Sequence, residues 1–114
     1  MSGFLKGFVY AWRGIVAGAA GRNFLVMLAA AIVVIVLGCI LKISLMEWRL
    51  VTLAMGLVLS LELLNTAGEK LVDILSPDHG PRYGMVKDLL AGAVLVAALA
   101  AAIVGALVFL PRIL

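Results

Sequence analysis

Two long runs without a charged residue limit most strongly what this chain can fold into. Residues 24–41 carry no charge over 18 positions, and residues 89–110 carry none over 22. Because a helix rises about 1.5 Å per residue, each run can cross a hydrocarbon core about 30 Å thick. The chain has 114 residues, of which 66% are hydrophobic and 13% charged, and this is too apolar for a soluble domain. The sequence therefore predicts an all-α membrane protein.

A third transmembrane helix is predicted at residues 44–68, although this segment is less apolar. It begins with Glu47, Trp48 and Arg49 and contains Glu62, so we expect it to span the membrane with a polar inner end. In the last span, Ala91, Ala98 and Gly105 recur every seven residues, a pattern that predicts close contact with another helix. Residues 1–114 are then a single membrane domain.

The first 21 residues predict an amphipathic helix that lies on the membrane surface. Its large apolar residues recur three or four positions apart and its basic residues lie on another side: Phe4, Phe8, Trp12 and Ile15 against Lys6 and Arg13. A third sector holds five glycines, which are Gly3, Gly7, Gly14, Gly18 and Gly21. Glycines in one stripe indicate close backbone approach, either to a transmembrane helix or to a nucleotide or lipid headgroup.

Basic residues are divided unequally between the two sides of the membrane. Six lie on one side and three on the other: Lys6, Arg13, Arg22, Lys70, Arg82 and Lys87 against Lys42, Arg49 and Arg112. The excess of positive charge marks the cytoplasmic side. We therefore expect the N-terminus and residues 70–87, the predicted main loop, in the cytoplasm and the C-terminus outside.

A stripe of polar residues follows one face of the third predicted helix, and it consists of Glu62, Asn65, Glu69 and Asp73. The spacings of three, four and four place these groups within roughly 80° of one another on a helix. A carboxylate at membrane depth costs about 2.5 to 3.5 kcal/mol on insertion scales, so such residues usually face a cavity, a partner or a metal. We therefore predict a functional site on this face.

The same site gains two more charged groups, Lys87 and Asp88, if the second and third spans are neighbours. Carboxylate and amide oxygens suit a magnesium ion that also holds phosphate, and a remaining carboxylate can act as a base. The simpler interpretation is that the charged residues are interfacial and reach into water, namely Glu69, Lys70, Asp73, Lys87 and Asp88. That interpretation does not fit Glu62, which lies about a turn deeper.

Other kinds of chemistry lack a signature in this sequence. There is no G-x-x-x-x-G-K-[ST] phosphate loop, no G-x-G-x-x-G motif and no zinc-binding pattern. The single histidine, His79, stands in a segment rich in proline and glycine, where we expect it to be solvated. The single cysteine, Cys39, stands in an apolar helix, where we expect a buried and unreactive thiol.

One motif indicates a specific protein family. The run ELLNTAGE at residues 62–69, followed by Val72-Asp73 and by Lys87-Asp88, resembles the signature of the bacterial integral-membrane diacylglycerol kinase and undecaprenol kinase family. Residue order and loop lengths along nearly the whole chain agree with that family.

The resemblance implies a homotrimer in the bacterial inner (cytoplasmic) membrane that transfers the γ-phosphate of MgATP to a lipid alcohol. Active sites would lie between chains, and no nucleic acid is expected as a partner. Glu62 would be the catalytic base and would bind the lipid substrate together with Asn65. Glu69 would be the ligand of the Mg²⁺ ion. The nucleotide would be bound by Lys6, Glu69, Lys87 and Asp88.

The chain departs from the family pattern at three glycines. Gly21 stands where an acidic residue usually supplies a second carboxylate to the metal site, and Asp73 is the candidate to compensate for it. Gly68 replaces a larger apolar residue, and Gly84 stands where lysine is common. The Ala91-Gly92-Ala93 stretch resembles the undecaprenol branch more than the diacylglycerol branch.

Two functions of other classes stay open from the sequence alone. One is a small oligomeric membrane transporter in which Glu62 binds a proton or cation. The other is an inactive structural subunit, which the missing carboxylate at Gly21 allows.

Overall fold

The computed structural model describes residues 2–78 and 80–114, so Met1 and His79, with the expectation that His79 is solvated, lie outside the described residues. Four helices follow one another: α1 (Gly3–Gly18), α2 (Arg22–Leu41), α3 (Leu45–Leu75) and α4 (Pro81–Ile113). The last three are long and apolar enough to cross a membrane. The predicted all-α membrane fold is thereby confirmed.

Helices α3 and α4 are longer than the sequence indicates. They contain 31 and 33 residues, against 20 in α2. At 1.5 Å per residue, α2 spans about 30 Å, whereas α3 and α4 reach roughly 46 and 50 Å and extend beyond the hydrocarbon core.

The expectation that residues 70–87 form the main loop is wrong, because most of this segment is helical. Helix α3 continues to Leu75 and α4 begins at Pro81, which leaves only residues 76–80 as the connection. Charged side chains end the apolar run, but they do not end a helix that continues into water. Proline at the first helical position has a favourable φ angle and lacks only an N–H group that would be unpaired there.

At the opposite end of the bundle, local contacts join all three long helices. The Ser44 side chain accepts a hydrogen bond from Glu47 N at 3.2 Å, and Glu47 Oε1 accepts one from Ser44 N at 2.9 Å, a capping box that starts α3. Glu47 also forms an ion pair with Arg112 near the end of α4. Beside it, Val51 and Phe109 belong to a small buried core.

Helix α3 is central, since it packs most extensively against α4, less against α2, and also contacts α1. Close contacts occur at glycines. A Cβ atom at Gly38 of α2 would lie 2.6 Å from the Trp48 ring of α3, and one at Gly68 of α3 would lie 3.0 Å from Leu90 Cδ2 of α4. The absence of side chains at these two positions lets the helix axes approach.

The glycine sector of α1 is only partly explained by packing. Gly18 is buried against Leu63 of α3, whereas Cβ atoms added at Gly3, Gly7 and Gly14 would have no neighbour within 4 Å. Large apolar side chains of α1, including Phe4 and Trp12, are exposed on the chain.

The expectation of a buried Cys39 is wrong, because the thiol is exposed on the surface of the chain. Helix α2 buries only Phe24, Ala31 and Gly38, which recur every seven residues along one narrow face. Cys39 follows Gly38 by one residue and therefore points about 100° away from that face. An apolar helix with a single packed face leaves such a residue to contact lipid or another chain.

Candidate active site

The polar stripe of α3 combines deep burial with open hydrogen-bonding capacity. Glu62 is 3% exposed and Asn65 is 8% exposed, and together with Ser76 they are the buried polar residues among those described. None of the ion pairs between described residues involves Glu62. Because a buried carboxylate and a buried amide are costly in a helix long and apolar enough to cross a membrane, this part of α3 is the candidate functional site.

The Asn65 amide is oriented by the next residue of the stripe. Asn65 Nδ2 donates a hydrogen bond to Glu69 Oε1 at 3.2 Å, so the amide oxygen points away from Glu69. Asn65 Oδ1 is buried and has no hydrogen-bond partner among the described residues. Leaving a buried acceptor unpaired costs about 1 to 3 kcal/mol. This oxygen is therefore available to a ligand hydroxyl or ammonium group or to a metal ion.

The main-chain carbonyl of Glu62 is contacted by Thr66, a residue that the sequence did not single out. The Thr66 hydroxyl donates to the main-chain carbonyl of Glu62 at 3.1 Å. This is a common helix contact between residues four apart. No signal in the sequence distinguishes this threonine from one that faces lipid, because the contact depends only on its χ1 rotamer.

The predicted convergence of α3 and α4 at their polar ends is present for Lys87. Its Nζ atom lies 2.6 Å from Asp73 Oδ1 and links the two helices just beyond the buried stripe. Asp73, the candidate to compensate for the carboxylate missing at Gly21, is therefore paired with a lysine. Asp88 follows on α4 and is exposed.

The remaining predicted site residues lie at the edge of this region or apart from it. Glu69 is exposed, so its carboxylate reaches solvent while it holds the Asn65 amide. Lys6 lies in the exposed first half of α1, and no hydrogen bond or ion pair between described residues joins it to α3. A single chain thus gathers Glu62, Asn65 and Glu69, and leaves Lys6 outside the cluster.

The described residues do not form a complete metal site. No group of three or more His, Cys, Asp or Glu side chains is placed to hold a metal ion in residues 2–78 and 80–114. Magnesium is usually bound by one or two carboxylates together with substrate phosphates and water. Glu69, whose exposed carboxylate has one oxygen left beside the one that accepts from Asn65, fits that kind of partial site.

The glycine at position 68 is explained by the neighbouring helix. The Leu90 side chain of α4 occupies the space that a larger residue at position 68 would need. Glycine instead of the family's larger apolar residue at position 68 is thus accompanied by a leucine, Leu90, that fills the same space from α4. The sequence did not indicate this pair, because the register between α3 and α4 is not visible in either segment alone.

Comparison with known proteins gives a family match over most of the chain. The family model described as prokaryotic diacylglycerol kinase matches residues 9–109. An undecaprenol kinase of Bacillus subtilis is 44% identical over 111 residues, which cover 96% of this chain and 90% of that protein. A diacylglycerol kinase of Synechocystis sp. is 39% identical over 112 residues, which cover 96% of this chain and 64% of that protein.

These matches support the lipid kinase and not the transporter among the functions that the sequence left open. The buried Glu62 and Asn65 and the exposed Glu69 lie inside the matched residues. The chain belongs to the prokaryotic diacylglycerol kinase family, and its activity is that of a lipid kinase, a phosphotransferase with an alcohol group as acceptor.

Proposed function

We propose that this protein transfers the γ-phosphate of MgATP to the hydroxyl group of undecaprenol at the cytoplasmic face of the bacterial inner membrane. The observation that carries the proposal is the burial of Glu62 beside Asn65, whose Oδ1 atom has no partner among the described residues. Both groups lie within a membrane-spanning helix, at a depth that a lipid hydroxyl can reach.

Glu62 acts as the general base. It accepts the proton of the lipid hydroxyl while the hydroxyl oxygen attacks the γ-phosphorus, and ADP leaves with the electron pair of the broken P–O bond. Asn65 Oδ1 is the free acceptor beside it and orients the hydroxyl group. A positioned base contributes typically about 10²- to 10⁴-fold to such a reaction.

The nucleotide lies at the water-exposed end of the same stripe. Glu69 is the residue that would hold a Mg²⁺ ion, and that ion would supply positive charge to the ATP phosphates. Lys87 and Asp88 lie on α4 beside the polar end of α3 and bind the nucleotide there, and Lys87 is already held by Asp73 of α3. Phosphoryl transfer depends mainly on positioning and on neutralising phosphate charge, and Lys87 is the cation of this set that would neutralise it together with Mg²⁺.

Undecaprenol is favoured over diacylglycerol as the acceptor. The Bacillus subtilis undecaprenol kinase is the more similar of the two relatives, and its length is matched almost completely. The diacylglycerol kinase relative has a lower identity and is matched over 64% of its length. The Ala91-Gly92-Ala93 stretch points to the same branch.

The protein works as a homotrimer with its N-terminus in the cytoplasm. Large apolar side chains are exposed on every helix of the single chain, and a further copy covers part of that surface. Helix α1 lies in the membrane interface with Phe4 and Trp12 toward lipid, and Lys6 of α1 binds the nucleotide from there. Positive charge on the inner side of the membrane supports this orientation.

The test uses two identical substitutions on the same helix. Glu62→Gln and the control Glu47→Gln each convert a carboxylate of α3 into an amide, one in the site and one at the opposite membrane surface. Purified proteins in mixed micelles receive radiolabelled ATP, Mg²⁺ and either undecaprenol or diacylglycerol. We expect Glu62→Gln to lose about 10²- to 10⁴-fold in lipid phosphorylation and Glu47→Gln to remain close to wild type.

Two results would contradict the proposal. Equal activity of the Glu62→Gln variant and the wild type would remove Glu62 from the catalytic role. Faster labelling of diacylglycerol than of undecaprenol would reverse the substrate assignment. Size-exclusion chromatography of both variants shows whether the oligomer is intact, so that a loss of assembly is not taken for a loss of catalysis.

A further inference from the structure

An apolar cleft lies between α2, α3 and α4 inside the membrane-spanning part of the chain. Its volume is about 290 Å³, and all of its lining side chains are apolar. Residues of all three helices contribute, among them Met27, Val51, Val58, Ala98 and Gly105. None of these residues belongs to the polar stripe.

The cleft leads away from the candidate active site toward the middle of the bilayer. Val58 lines it and precedes Glu62 by four residues, so the two side chains lie on one face of α3 a single turn apart. The lining of α3 continues to Val51, seven residues further along, which corresponds to roughly 10 Å.

The register of α3 against α4 identifies the two ends of the cleft. Gly68 lies against Leu90 near the cytoplasm, and Glu47 pairs with Arg112 at the other surface. Between these two contacts, Ala98 lies toward the Glu62 end and Gly105 toward the outer end. The cleft is therefore an apolar groove that begins one turn from the buried carboxylate.

Small residues keep this space open. A Cβ atom added at Gly105 would have no neighbour within 4 Å, although the seven-residue spacing of Ala98 and Gly105 predicts close helix contact. An apolar space without polar groups does not hold water, and its walls lack van der Waals partners while it is empty. Hydrocarbon is the occupant that the lining suits.

We propose that this cleft holds the part of the substrate's hydrocarbon chain that is next to the hydroxyl group, and that it selects lipid alcohols with one chain over those with two. The inference rests on the proposed function, because it places the substrate hydroxyl at Glu62. From that position the chain must continue into the bilayer, and the cleft is the apolar path that begins there. Its volume is at the lower end of the range of about 300 to 1,000 Å³ for ligand sites, which suits part of one chain.

The selection for one-chain alcohols arises because a second hydrocarbon chain would find no place in the cleft. A prenol has a single hydrocarbon chain next to its hydroxyl group, and the cleft accommodates the first isoprenoid units of that chain. A diacylglycerol carries two chains close to its hydroxyl group, and only one of them fits. Ala98 and Gly105 are therefore specificity-determining residues, since their small size sets the width of the cleft near Glu62 and its length.

The test narrows each end of the cleft separately. Ala98→Leu fills the end near Glu62, Gly105→Leu fills the outer end, and Ala100→Leu places the same side chain on an exposed position of α4 as a control. For each protein, kcat and KM are measured with prenols of increasing length and with ATP. In the wild type, kcat/KM should rise with prenol length until the cleft is full and then stay constant.

The variants should differ in a defined way. Ala98→Leu should raise KM about tenfold or more for every prenol, since extra carbons in a filled apolar pocket have effects of that size. Gly105→Leu should leave kcat/KM for short prenols unchanged. The rise of kcat/KM with prenol length should stop at a shorter prenol than in the wild type. Ala100→Leu should match the wild type, and KM for ATP should be unchanged in all three. If the three leucine variants change KM alike, the proposal is overturned.

A second readout does not depend on activity. A prenol with a diazirine on its first isoprenoid unit is photoactivated in micelles, and the labelled residues are identified by mass spectrometry. Labelling of Met27, Met55 or Val58 that is lost in Ala98→Leu and retained in Ala100→Leu supports the cleft as the chain site. If only exposed residues outside the cleft are labelled, the proposal is overturned. It is also overturned if Ala98→Leu dissociates the oligomer without changing which residues are labelled, because a second copy of the chain would then occupy the cleft.

The photolabel also separates this inference from the proposed function. Labelling in the cleft by a protein that phosphorylates no lipid alcohol would support the chain site and contradict the kinase mechanism at Glu62. Phosphorylation of prenols without labelling in the cleft would support the mechanism and overturn the chain site.

Discussion

The separation of α3 and α4 next to the candidate active site depends on Gly68, and replacing Gly68 with leucine tests this dependence. A Cβ atom at position 68 would lie 3.0 Å from Leu90 Cδ2 and 3.3 Å from Leu90 Cγ, with Leu90 Cδ1 closer still. A Cβ atom at Gly84, in the first turn of α4, would have no neighbour within 4 Å. Gly84→Leu is therefore the matched control for Gly68→Leu.

Two effects of opposite sign decide the outcome. Glycine to leucine inside a helix gains about 1 kcal/mol at both positions, because glycine is a poor helix former. Overpacking costs about 1 to 3 kcal/mol, and only at position 68. We therefore expect Gly84→Leu to stabilise the protein by about 1 kcal/mol and Gly68→Leu to fall below it by about 1 to 3 kcal/mol.

The assay is equilibrium unfolding in mixed micelles of rising SDS fraction. All variants are compared at one protein concentration, because the stability of the proposed oligomer would depend on that concentration. The double variant Gly68→Leu with Leu90→Ala removes the obstructing side chain and should recover most of the loss, a coupling expected between residues in contact. Since position 68 lies between Asn65 and Glu69, lipid phosphorylation should fall and recover in parallel. If Gly68→Leu is as stable as Gly84→Leu and shows no coupling to Leu90, the derived register of α3 and α4 is wrong.

Three further predictions concern the helix cap, the ion pair and the metal. Ser44→Ala removes the acceptor for Glu47 N and should lower the free energy of unfolding by about 0.5 to 2 kcal/mol, measured by the same SDS titration, while KM for ATP stays constant. Lys87→Met breaks a largely solvated pair with Asp73 worth roughly 0 to 1 kcal/mol, so its unfolding midpoint should hardly move while KM for ATP rises several-fold. An unchanged KM would remove Lys87 from the nucleotide site. Chelation of Mg²⁺ should abolish lipid phosphorylation and leave the circular dichroism spectrum unaltered. The reason is that the described residues contain no cluster of three metal ligands on which folding could depend. A loss of helix signal on chelation would contradict this prediction.

The membrane-spanning helices and the polar face of α3 were predictable because both are local patterns. Apolar runs long enough to cross a bilayer define α2 and the inner parts of α3 and α4. The spacing of Glu62, Asn65 and Glu69 places them on one face of any helix, whatever packs against it. The ends of α3 and α4 were not predictable in this way, since hydropathy marks where lipid ends and not where the helix ends.

What the sequence by itself determined is the class of the protein, its three spans, the polar stripe and its membership of a kinase family. Only the tertiary structure decided that Glu62 and Asn65 are buried while Glu69 is exposed, that Lys87 pairs with Asp73, and that Leu90 fills the space beside Gly68. The reason is physical. Periodicity fixes directions around one helix axis, whereas burial and pairing depend on the register between helices, which is set by the packing of side chains far apart in the chain.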